Sequence, residues 1–195
     1  MTTLALALPP ARTAERPAYR AGVAIGGSLL VALLAQVQFL LPFTPIPVTG
    51  QTLGVLVVGA ALGPELAAAS MLLYVAEGAA GLPFFAGGGH GWSVLALSSA
   101  SGGYLWGFVA MGAVVGALAR RGWDRTLRSS ISAMLIGEIV LYAIGVPWLA
   151  AAAGVGIERA LVLGLYPFVV GDVLKLLGAA GLLPAAWRLT RRSER

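Results

Sequence analysis

Apolar residues come in long runs, broken by short polar or Gly/Pro-rich stretches. Six runs read as membrane spans: 21–41, 52–63, 66–81, 102–119, 130–149 and 160–187. A helix that crosses a bilayer needs about 20 largely apolar residues. The second and third runs are shorter than that, so they are expected to be tilted, bent or buried within a bundle. The pattern predicts an all-α integral membrane protein of six transmembrane helices. The domain reading is an N-terminal tail over 1–20, a membrane domain over 21–187 and a basic tail over 188–195.

Composition agrees with the pattern. The chain is 58% hydrophobic and 11% charged, with mean hydropathy +0.88. A soluble domain carries about 25% charged residues, so the solvent for this chain is lipid. Zero cysteines exclude disulfides and thiolate metal sites. The early run "LALALPP" has no positive region before it, so it does not read as a cleaved signal.

The net charge of +5 is a topology signal. Eleven of the 13 Lys and Arg residues fall in three segments: Arg12, Arg16 and Arg20; Arg120, Arg121, Arg125 and Arg128; Arg188, Arg191, Arg192 and Arg195. With six spans, all three lie on one side. Positive residues stay cytoplasmic, so both termini are expected inside, in a bacterial cytoplasmic membrane crossed several times. A nucleic-acid partner is not expected, since no basic residue is interleaved with exposed aromatics.

Four ionisable residues interrupt the apolar runs: Glu77, Glu138, Asp172 and Lys175. A charge at membrane depth costs at least about 2.5 kcal/mol, so it needs a partner or a purpose. Asp172 and Lys175 are three apart and share a helix face. They read as a self-neutralising ion pair, as a ligand clamp, or as both in turn. Glu138 reads as a contact between helices or a cavity wall. His90, in "FFAGGGHGWS", lacks a second ligand at metal spacing; its glycine run reads as a flexible external loop or as a lid. Small residues at Gly22/Gly26 and in the ladder Ala24, Ser28, Ala32 suit close helix packing or the docking of another membrane protein. No Walker A loop, G-x-S-x-G or H-E-x-x-H is present. The chain is therefore not read as an enzyme, and it has no ATPase motif of its own.

Five segments together resemble a known family. They are "FTPIPVTGQTLGVLVVGAALGP" (43–64), "GLPFFAGG" (81–88), "GGYLWGF" (102–108), "GVPWL" (145–149) and "YPFVVGDVLKLLGA" (166–179). In this order they resemble the BioY family, the biotin-specific substrate-binding (S) subunits of energy-coupling-factor (ECF) transporters. The family's usual "GPTGGY" stands here as "SSASGGY" (98–104), which puts the local loop in question. The resemblance implies biotin capture from outside. It also implies assembly with a membrane-spanning coupling (T) subunit and ABC-type ATPase subunits, with no cofactor on this chain and ATP used by the partners. The ladder Ala24, Ser28, Ala32 would then dock on the coupling subunit.

Biotin's ureido ring offers two N–H donors and a carbonyl acceptor, and its thiophane ring and tail want apolar walls. The expected site is therefore Asp172 and Lys175 as polar clamp. Its walls come from Phe84 and Tyr104, chosen over Phe85, Trp92 and Tyr142. Thr49 and Gln51 sit in a rigid cap, and Gly88 lies in the glycine loop. A stand-alone biotin carrier and an S subunit for another vitamin are the alternatives.

Overall fold

The computed structural model describes residues 3–4, 13 and 16–193, with side chains described as far as Trp187. The basic residue Arg12 and the side chains of Arg188, Arg191, Arg192 and Arg195 lie outside the described residues. Seven α-helices make up the described chain: α1 (Pro17–Ala35), α2 (Gln51–Leu62), α3 (Pro64–Ala79), α4 (Gly102–Arg120), α5 (Leu127–Ala153), α6 (Ile157–Gly164) and α7 (Val169–Ser193). A two-residue antiparallel pair, β1 (Gln38–Phe39) on β2 (Val48–Thr49), ties the α1–α2 connection.

Among the described residues, four helices are long and apolar enough to cross a membrane: α1, α4, α5 and the Val169–Trp187 part of α7. With 12 and 16 residues, α2 and α3 are about 18 and 24 Å long at 1.5 Å per residue. They meet at Gly63, whose φ of 83° lets the chain turn without a gap between helices. Helix α4 is central and packs on α2, α3 and α5, while α1 covers α2 and α3 and α7 lies against α2 and α5.

Two expected spans end differently. The run 21–41 is helical only to Ala35, because Gln36 turns its amide back onto the Ala32 carbonyl (3.0 Å) and the chain leaves for β1. The run 160–187 is two helices, α6 and α7, joined by a turn over 165–168. Pro167 explains the break: it lacks an N–H, and it disfavours helical backbone at Tyr166 before it. The consequence is functional. Restarting at Val169 puts Asp172 in the first turn of α7, where unsatisfied amides and the helix dipole favour a carboxylate.

At the end of the bundle that carries Arg120, Arg121, Arg125 and Arg128, the α4–α5 connection grips α7. The Trp187 indole N–H donates to Asp124 Oδ2, and the Arg125 guanidinium stacks 3.6 Å from the centre of the Trp187 ring.

Candidate functional site

A cavity of about 220 Å³ lies at the opposite end of the bundle, between the β1–β2 connection, α2, the 82–101 loop, α4, α5 and α7. Its walls are mostly apolar, with Ile46, Phe85, Leu105, Phe108, Leu141 and Phe168 among them. One wall is polar, and three elements build it. The Lys175 ammonium donates to Asp172 Oδ1 at 2.9 Å and to Thr52 Oγ1 at 3.0 Å. The Thr52 hydroxyl in turn reaches Asp172 Oδ1 at 3.4 Å. Tyr142, from α5, donates its hydroxyl to Asp172 Oδ2. Asp172 is 6% exposed, so this cluster stands in a low-dielectric wall, where charge-assisted hydrogen bonds are strongest.

The aromatic side of the cavity depends on glycines elsewhere. The Tyr104 hydroxyl donates to the Gly164 carbonyl at 2.8 Å; a Cβ at Gly145 would overlap the Tyr104 ring, and one at Gly164 would overlap the Tyr104 hydroxyl and Leu149. Tyr104 and Tyr142 meet edge to face with centroids 6.2 Å apart. The helix break thus does two things at once: it frees the Gly164 carbonyl for Tyr104 and places Asp172 in the first turn of α7.

The cap is built from the "TPIPVTGQTLG" stretch. Ile46 and Pro47 face the cavity, and the Thr44 hydroxyl anchors them by donating to the Leu163 carbonyl at 2.6 Å. Thr49 and Gln51 line the cavity but hold each other: the Thr49 hydroxyl donates to Gln51 Oε1 at 2.8 Å. The Gln51 amide donates to the Tyr74 hydroxyl at 2.6 Å, and that hydroxyl donates to the Phe84 carbonyl at 3.2 Å. This chain of bonds ties α2, α3 and the 82–101 loop together.

Of the expected ligand-contact residues, the structure brings Asp172, Lys175, Tyr104, Thr49 and Gln51 to one cavity. Phe84 and Gly88 do not line it; their neighbours Phe85 and Gly89 do. Phe85 is 2% exposed and packs edge to face on Tyr74, 5.6 Å between centroids, so of the two adjacent rings it is the one turned inward. Trp92 is 72% exposed and lies outside the cavity. Thr52 and Tyr142 complete the polar wall. The sequence signal for Thr52 is its place beside Gln51 at the head of an apolar run; Tyr142 is one of the aromatic wall candidates of the sequence. The "SSAS" turn is formed without the family's proline: the Ser99 carbonyl accepts from the Trp148 indole at 3.0 Å, and the Ser101 carbonyl accepts the Tyr104 and Leu105 amides of α4.

The docking ladder needs a correction. Ala24, Ser28 and Ala32 are buried inside the chain, and Ser28 donates to Glu77 of α3. Their small size lets α1 approach α3, so they are not an outward face. The small residues that α1 leaves exposed are Ala18, Ala21, Gly22 and Gly26.

Comparison with known proteins follows the same lines. The BioY family model matches residues 11–192. The "Biotin transporter BioY" of Rhizobium etli is 36% identical over 164 residues, covering 80% of this chain and 86% of that protein. The "Probable biotin transporter BioY" of Pyrococcus horikoshii is 37% identical over 149 residues, 76% of this chain and 85% of its own length. The crystal structure of an S-component for biotin from an ECF-type ABC transporter superposes with TM-score 0.78 at 20% identity, over 88% of this chain and 92% of that one. The family match spans nearly the whole chain, and the chain belongs to the BioY family.

Proposed function

We propose that this chain is the biotin-capturing S subunit of an ECF-type transporter, a transport component and not an enzyme. The observation that carries the reading is the polar wall of Asp172, Lys175, Thr52 and Tyr142 on an otherwise apolar cavity. Biotin has the complementary form: a compact ring system with two N–H donors and a carbonyl at one edge, and an apolar body. Asp172 accepts from a ureido N–H, and Lys175 donates to the ureido carbonyl. Phe85, Tyr104, Phe108 and Phe168 enclose the apolar part. Family membership and relatives named as biotin transporters support the same ligand.

The chain crosses the membrane six times in this reading, with α2 and α3 as a short pair and α6 and α7 as one broken crossing. Both termini face the cytoplasm of a bacterial cell in this reading, because with six crossings the three cationic segments of the sequence fall on one side. The cavity then opens outward. Uptake requires a coupling subunit and ATPases on other chains, since this one carries no Walker A loop. The exposed small residues of α1, Gly22 and Gly26, are the face we assign to the coupling subunit.

The test is equilibrium binding of biotin to the purified chain in detergent, beside an analogue whose ureido carbonyl is replaced by an imine. Tight binding of biotin with clear weakening for the analogue supports the polar clamp. Equal binding of both removes the ureido ring from it. No binding by folded protein overturns the assignment.

A further inference from the structure

Asp172 is already bonded to three donors of this chain. Its Oδ1 already takes Lys175 and Thr52, and its Oδ2 takes the Tyr142 hydroxyl. Each carboxylate oxygen has about two acceptor sites, so an incoming N–H either takes the one left on Oδ2, beside the Tyr142 hydroxyl, or displaces a donor. Lys175 and Thr52 are also bonded to each other. Tyr142 is held by Asp172 alone on that side, so it is the donor that can leave.

A vacant acceptor stands one turn earlier on α5. Glu138 is 5% exposed, and neither of its carboxylate oxygens meets a hydrogen-bond donor among the described residues. Residues at i and i+4 share a helix face, and side chains lean toward the helix N-terminus. Glu138 and Tyr142 therefore share one face of α5, and both line the same groove. Room to move exists as well. A second, lateral groove of about 510 Å³ runs between α5, α6 and α7, lined by apolar side chains together with Glu138, Tyr142 and Asp172. Tyr142 and Asp172 line both this groove and the ligand cavity, so they form the partition between them.

We propose that the Tyr142 hydroxyl is a two-position donor, on Asp172 when the cavity is empty and on Glu138 when ligand takes its place, so that Glu138 is a positioning residue for ligand capture. An unpartnered buried carboxylate is costly to keep. Here its cost falls on the empty state and is relieved on binding, so it favours the occupied state. The proposal rests on the biotin reading above.

The experiment is a double-mutant cycle on the full-length chain in detergent. Biotin affinity and the melting temperature of the empty protein are measured for wild type, Glu138→Met, Glu138→Gln, Tyr142→Phe and the Glu138→Met/Tyr142→Phe pair. Losing one buried hydrogen bond in the bound state weakens biotin about fivefold to tenfold for Glu138→Met, while the empty protein melts no lower than wild type. Glu138→Gln keeps an acceptor and stays near wild type. In the Tyr142→Phe background, Glu138→Met changes affinity by less than about twofold, because the coupled partner is gone. The proposal is overturned by an equal loss in both backgrounds, by no loss in either, or by parallel falls in affinity and empty-state melting temperature. Should Glu138→Met not fold, Glu138→Ala completes the same cycle. Failure of wild type to bind biotin overturns the ligand assignment, and this proposal with it; failure of the cycle overturns the role of Glu138 alone.

Discussion

Replacing Asp172 by Asn tests the site most directly, because the change keeps shape and removes one charge. Asp172 Oδ1 accepts from Lys175 at 2.9 Å, and the two side chains are 8% and 16% exposed. Two losses follow. A ligand N–H loses a charged acceptor, and a hydrogen bond to a charged group is worth about 1.5–3 kcal/mol. At about 1.4 kcal/mol per decade, that is roughly a tenfold to hundredfold weaker complex. Lys175 also loses its counter-charge inside the wall, and breaking a buried pair by removing one partner costs about 3–5 kcal/mol of stability. Lys175 keeps some exposure and its Thr52 contact, so the lower end applies. Titration calorimetry reads the first loss and a thermal melt in detergent reads the second. A double variant, Asp172→Asn with Lys175→Met, separates them: stability recovers because no charge is left unpaired, but affinity does not. An Asp172→Asn protein that binds biotin within about threefold of wild type, a difference of ~0.7 kcal/mol, refutes the clamp.

Three further outcomes follow from particular contacts. Gln51→Ala removes both bonds that join Thr49 to Tyr74; buried groups left unpaired cost about 1–3 kcal/mol each, so melting temperature and biotin affinity fall together, whereas a mere turn residue would change neither. Gly116→Val places a Cβ against the backbone of Gly63 and Pro64; since backbone cannot rotate away, overpacking of at least about 1–3 kcal/mol is expected to give aggregated protein on size-exclusion chromatography. Glu65, ahead of the apolar run of α3, is held below its ordinary value of 4.5 first by the backbone amides at its helix start and next by Arg120. A lowered folded value means stability present above about pH 4.5 and lost as pH falls through it; Glu65→Gln should therefore melt slightly below wild type at neutral pH and match it in acid, with a small gap because the Arg120 pair is exposed.

The sequence by itself determined the membrane class, because 58% hydrophobic residues leave no other solvent. It located α2, α3 and α4 to within one or two residues at nearly every end, and α5 less closely, since helices in lipid coincide with their apolar runs. It singled out Asp172 and Lys175, since charge is rare and costly there. What it left undecided was direction. In a soluble helix the polar face marks the outside, but here lipid-facing and core-facing residues are both apolar, so no stripe separates them. Ala24, Ser28 and Ala32 were therefore legible as a small-residue ladder, but only packing showed that the ladder faces α3. The same blindness held for Phe84 against Phe85, adjacent rings in a loop without periodicity. Pro167 is a breaker visible in the sequence, yet the apolar pattern runs through it; the tertiary structure alone shows that the break frees the Gly164 carbonyl for Tyr104 and sets Asp172 in the first turn of α7. Apolar pattern is a local property of the chain, whereas which face meets which is settled by contacts between residues far apart in sequence.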